Sequence, residues 1–186
     1  DFGSELTMNY FGFQMTAPLT VNGYVNNSGG LTLSSQSGGD IALLGDWTNV
    51  GTFIPNGRGV TFMGIVQNLT GPTTFDYITL DNAALVTLID NITIDQTLTL
   101  TNGRISTGSN FATISATGSV QRTNGHVVGN LMQYIPAGSN VASQFFIGDT
   151  NNFTPVDVTF ANVSTAGNII ASTFDAGPSL NGSFIS

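Results

Sequence analysis

Eleven acidic side chains, three arginines and one histidine carry nearly all the acid–base chemistry this 186-residue sequence offers, since it has neither lysine nor cysteine. Four of the acids, Asp76, Asp81, Asp90 and Asp95, fall close together, a spacing that could align carboxylates on neighbouring coils for attack on a glycosidic bond. Such a site also needs cations to hold developing negative charge. Arg104 is the nearest, while Arg58 and Arg122 stand alone in turns, so solvated turn carboxylates are the expectation for these acids and for Asp40, Asp46, Asp149, Asp157 and Asp175. His126 sits in Thr123-Asn124-Gly125-His126-Val127, and no Gly-x-Ser-x-Gly elbow is present to give it a nucleophile. A turn-exposed or strand-start histidine is therefore expected, and the chain is read as a non-enzyme with no catalytic residues and no cofactor.

One histidine and no cysteine exclude multi-His and thiolate metal sites. Calcium is the metal still open, because Asp81-Asn82 and Asp90-Asn91 could supply carboxylate and carbonyl oxygens. Neither an EF-hand loop nor a Gly-Gly-x-Gly-x-Asp nonapeptide accompanies them. Six Asn-x-Ser/Thr sequons begin at Asn26, Asn68, Asn91, Asn152, Asn162 and Asn181, as a chain rich in these types would produce by composition alone.

Charge is scarce and one-sided, with 8% charged residues and a net charge of -8. Three arginines cannot neutralise a phosphate backbone, so nucleic acid is excluded as a partner, and an anionic membrane surface is disfavoured for the same reason. No apolar run approaches the length of a membrane span. A hydrophobic content of 40% argues against disorder. The first residues, Asp1-Phe2-Gly3-Ser4, lack an initiator Met and the basic and apolar regions of a signal peptide, which reads as a mature or excised chain.

The elements that must carry these residues are strands. An apolar-Thr-apolar core recurs at 31–33, 60–62, 78–80, 86–88, 92–94, 98–100, 112–114 and 158–160. Period-2 alternation with a β-branched centre describes a half-buried strand, apolar pair inward and threonine outward. Asn-Gly, Ser-Gly and Gly-Gly pairs punctuate the cores where the chain must corner, and no apolar spacing of helical period is sustained. The fold class expected is all-β, a right-handed parallel β-helix-like solenoid with a C-terminal β cap, the alternative being a β-sandwich or jelly roll. Three zones are separable: 1–24, an N-terminal strand or assembly segment; 25–134, the solenoid; and 135–186, a C-terminal β cap or small sandwich.

The run Gly45-Asp46-Trp47-Thr48-Asn49-Val50-Gly51-Thr52-Phe53, followed by Gly59-Val60-Thr61-Phe62-Met63-Gly64 and by Gly71-Pro72-Thr73-Thr74-Phe75-Asp76-Tyr77-Ile78-Thr79-Leu80, resembles a known repeat style. It is similar to the β-helical repeat segments of large secreted bacterial surface proteins, adhesin-like cargo of the type IX secretion apparatus. The likeness extends over about residues 40 to 165. It implies a secreted, cell-surface structural or adhesive protein with no assigned chemistry. Members of that group are usually longer and end in a C-terminal sorting module, so the resemblance implies either an excised fragment or a short subunit that polymerises.

Alternation across Met8, Tyr10, Phe11, Phe13 and Met15 gives an uncharged strand with large apolar side chains, which suits pairing with the edge of another subunit. These five residues are the candidate assembly site, and capping of the chain's own solenoid is the competing expectation. Self-association into a homopolymer is accordingly the expected partnership, with surface glycans second. A carbohydrate-binding or carbohydrate-cleaving β-helix is the alternative function. Trp47, the only tryptophan, falls within the repeat pattern, where core or corner packing is expected in place of sugar stacking. A third reading is an ice-binding face, suggested by the ladder Thr97-x-Thr99-x-Thr101.

Overall fold

A computed structural model describes the backbone of Leu6–Thr7 and residues 17–174. Alternating apolar positions produce strands and nothing else: no helix occurs among the described residues, so none is long and apolar enough to cross a membrane. The strands wind into about six stacked coils, each contributing to three faces, and neighbouring coils pair in parallel. A jelly roll would need antiparallel pairing throughout its core, which the coils do not have.

The first face stacks Leu19–Val21, Ile41–Leu43, Gly59–Phe62, 78–80, 98–100 and Ser119–Arg122. Its register Leu19↔Ile41↔Val60↔Ile78↔Leu98↔Val120 makes successive coils 22, 19, 18, 20 and 22 residues long, by subtraction of those positions. The second face carries Val25–Asn27, Trp47–Asn49, Val66–Thr70, 85–88, 104–106 and 126–128. On the third, Leu6–Thr7, Gly30–Thr32 and Thr52–Ile54 form one ladder, and 73–75 pairs with 92–94 as 111–114 pairs with 130–133.

Each face sends its alternate side chains into one shared column. Seven of the eight cores named above bury both apolar residues, from Leu31 and Leu33 to Ala112 and Ile114, whereas Leu19-Thr20-Val21, of the same pattern, leaves Leu19 exposed. Burying a side chain of this size contributes roughly 1.5–3 kcal/mol, so the repeated pairs supply the driving force of the fold. The eighth core, 158–160, lies in the antiparallel strand Val156–Val163 and is only partly buried. In the middle of the column Trp47 is fully buried, its ring centroid 4.9 Å from Phe53 and 5.2 Å from Phe75, with Phe62 6.2 Å from Phe75. The expected core role of the tryptophan holds.

Corners are set by close backbone approach. Gly71 adopts a φ of 86°, and a Cβ there would lie 1.8 Å from the Asn49 carbonyl oxygen of the preceding coil, so only glycine fits. Beyond the last coil the pairing becomes antiparallel: Gly167–Ser172 runs against 130–135, and Gly138–Phe145 forms a hairpin with Val156–Val163. Covering the third face of the last coil in this way satisfies backbone groups there that would otherwise face water as an open edge.

Candidate functional site

The carboxylates occupy corners, and most hold one coil to the next. Asp40 Oδ1 accepts from Gly59 N at 2.8 Å, Asp46 Oδ1 from Asn68 N at 2.7 Å, Asp76 Oδ2 from Gly57 N at 2.5 Å and Asp90 Oδ2 from Gly71 N at 2.8 Å. Each bond spans one coil. Asp81 Oδ1 accepts from Asn102 Nδ2 at 2.7 Å, and Asn102 Oδ1 accepts in turn from Asn124 Nδ2 at 3.3 Å. Asp76 precedes the first face, Asp81 ends it, and Asp90 precedes the third, so the acidic run of the sequence is dealt out to separate corners.

The calcium candidates are engaged in the same way. Asn82 Oδ1 accepts from Ala84 N, Asn91 Oδ1 from Phe111 N, and both aspartates hold donors. No group of three acidic, histidine or cysteine side chains among the described residues could hold a metal ion.

His126 begins the strand His126–Ile135 and is buried, 7% exposed, so the strand-start reading applies and the turn-exposed one does not. Its Nε2 lies 2.8 Å from the Asp149 carbonyl oxygen. Arg104 donates to the Thr150 carbonyl, and the Arg122 guanidinium lies 3.4 Å over the Phe153 ring. The only histidine and two of the three arginines thus fasten one loop, 146–154, to the end of the solenoid. Within it, hydrogen bonds from Asn151 N and Asn152 N hold the Asp149 carboxyl below its ordinary value, with a smaller contribution from His126.

Arg58 is the remaining cation and is placed differently. It lines an open groove of about 350 Å³ on the first face with Pro18, Asp40, Gly57, Gly59, Thr61, Tyr77 and Thr79. Its Nε is buried and has no hydrogen-bond partner. Outward positions of consecutive coils bring Asp40, Gly59 and Tyr77 into one row, since Gly59 pairs with Tyr77 and donates to Asp40. Tyr77 is 40% exposed. This row continues with Thr97 and Ser119, so the threonine array proposed for ice is interrupted here by an aromatic, although Thr61, Thr79 and Thr99 do stack beside it.

Sequence reasoning did not bring Asp40, Arg58 and Tyr77 together. The signal available was the repeat register, which sets residues 18 to 22 apart on one face. The candidate assembly residues Met8, Tyr10, Phe11, Phe13 and Met15 lie outside the described residues.

Fold and surface together define a parallel β-solenoid whose corner carboxylates are mostly engaged in hydrogen bonds and whose first face carries a groove lined by Tyr77. No family model, curated protein or solved structure matches the chain.

Proposed function

We propose that this chain is a non-enzymatic, extracellular structural protein, a repeat module of a surface filament or adhesive stalk that assembles through strand edges. One observation carries the reading. Along the first face, Leu19–Val21 pairs only with the following coil and Ser119–Arg122 only with the preceding one among the described residues. Such edges are complementary halves of one parallel ladder, so a head-to-tail contact between copies is heterologous and propagates. The central outer row of that face, Thr20, Ala42, Thr61, Thr79, Thr99 and Gln121, carries no charge.

The placement outside the cell rests on the resemblance to secreted surface-protein repeats. The five described sequon asparagines, at 26, 68, 91, 152 and 162, are all exposed, which accords with it. Negative-stain microscopy of the full chain tests the reading: fibres or stalks of stacked coils are expected, and a uniform monomer at all concentrations refutes polymerisation. A chain lacking residues 1–15 separates the routes. Loss of fibres supports donation of the N-terminal strand, and unchanged fibres assign assembly to the coil edges alone.

A further inference from the structure

We infer that the groove around Tyr77 is a binding subsite for a neutral sugar unit of a glycan chain, a property that goes beyond the filament reading and does not depend on it. Its volume of about 350 Å³ lies within the range of small-molecule clefts. Gly59 gives the depression its floor: it presents no side chain, and its neighbours in the row are Asp40 in one adjacent coil and Tyr77 in the other. With coils separated by about 4.8 Å, the Asp40 and Tyr77 backbones stand roughly 9–10 Å apart, and the gap between them is narrow at its floor, where a Gly59 Cβ would lie 3.2 Å from Tyr77 Cβ and 3.7 Å from Asp40 Oδ1, so a ligand rests across the top of the row.

The groups around that gap match the surface of a sugar ring. Half-exposed Tyr77 offers an aromatic face for the apolar C–H side of a pyranose. Arg58 lines the groove and its guanidinium supplies donors only, so it can pair with sugar oxygens there. Asp40 supplies acceptors only, and the Gly59 N–H fixes its carboxylate at the wall. Thr61 and Thr79 add hydroxyls that donate or accept. A donor, an acceptor and an aromatic plate at fixed spacing is the chemistry that reads adjacent hydroxyl groups.

Charge and topology select among occupants. A polyanion is disfavoured, because Asp40 lines the groove, Asp76 binds Gly57 N at its edge, and the chain carries a net charge of -8. An extended peptide has no free edge to pair with, since Ile41–Leu43 and Gly59–Phe62 are each paired on both sides.

Calorimetric titration of the full chain with neutral hexasaccharides of glucose, xylose and mannose, and with oligogalacturonate as the acidic counterpart, is the test. At least one neutral oligosaccharide is expected to bind, with affinity falling about tenfold or more in Tyr77→Ala and in Arg58→Gln. Thr61→Trp provides a variant that fills the groove from an outward position, and it too is expected to abolish binding while the thermal melt shows a folded chain. Absence of binding to every neutral sugar, preference for oligogalacturonate, or affinity unchanged in folded Tyr77→Ala or Thr61→Trp overturns the proposal. Fibre formation, followed in parallel by sedimentation, is unaffected by the sugar result, so failure of this site and failure of the filament reading are distinguishable.

Discussion

At the scale of single residues, buried amides decide more than the titratable groups. Gln67 is fully buried on the second face and binds three coils at once. Its Oε1 accepts from Gly64 N at 2.9 Å and from Asn82 Nδ2 at 2.8 Å, while its Nε2 donates to the Leu43 and Gly45 carbonyls. Nearer the N-terminus, Asn27 donates to Asn49 Oδ1 at 2.7 Å, and Asn49 donates to Thr73 Oγ1, which also accepts from Trp47 Nε1. Inside a low-dielectric column, such groups stabilise only while every partner is present. Replacing Gln67 by Met keeps its length but leaves two donors and two acceptors with one partner fewer, so a loss of about 3 kcal/mol is expected from urea unfolding. Exposed Gln121→Met, the control, should change stability by less than about 0.5 kcal/mol, and equal losses in the two variants would contradict the assignment. None of these amides was legible as core in the sequence. In a chain of Gly, Asn and Thr they look like turn residues, and only coil stacking buries them.

Among the elements, the loop 146–154 is held by a carboxylate that its hydrogen bonds keep ionised to a lower pH than usual. Phe146 and Phe153 stack with centroids 6.4 Å apart, and Asp149 Oδ1 accepts from Asn151 N at 2.7 Å and Asn152 N at 2.6 Å. The native carboxyl titrates below its ordinary value of 3.8, so its contribution is complete above that pH and disappears as pH falls through the lower native value. Protection of the Asn151 and Asn152 amides, corrected for intrinsic exchange, is therefore expected to drop below about pH 3.8 while the coil amides stay protected. Asp149→Asn should lack this acid step. A loop equally protected at pH 2 and pH 5 would show that the carboxylate does not hold it. The strands themselves were largely readable beforehand. Leu19-Thr20-Val21, Ile41-Ala42-Leu43 and 126–128 were not singled out, the second because alanine stands where other coils have threonine, the third because it has no threonine centre.

For the whole molecule the controlling fact is that each coil touches chiefly its neighbours, so stability is close to a sum over coils and their interfaces. Deleting residues 78–97, one coil by the register Ile78↔Leu98, joins Tyr77 to Leu98 and leaves Val60 opposite Leu98 with the inward alternation preserved. This shortened chain is expected to keep its β-sheet circular dichroism and cooperative unfolding, at a lower urea midpoint. Deleting 78–87, half of that coil, leaves 28 residues from Val60 to Leu98 (38 less 10), outside the 18 to 22 of the native coils, so the faces cannot stack in register and the chain should not fold. If the two deletions behave alike, stacking in register is not what organises the chain. The sequence alone determined the all-β class, the inward-facing apolar pairs of seven strand cores and the scarcity of charge, because alternation and composition are local properties. Only the tertiary structure decided which face each core belongs to. Successive cores fall on three different faces, so intervals that look uneven along the chain become coils of 18 to 22 residues once each face is followed separately. The same winding separates Asp76, Asp81 and Asp90 onto different corners and gathers Asp40, Arg58 and Tyr77 into one groove. Proximity between coils depends on the length of every intervening corner, and no single stretch of residues encodes that sum.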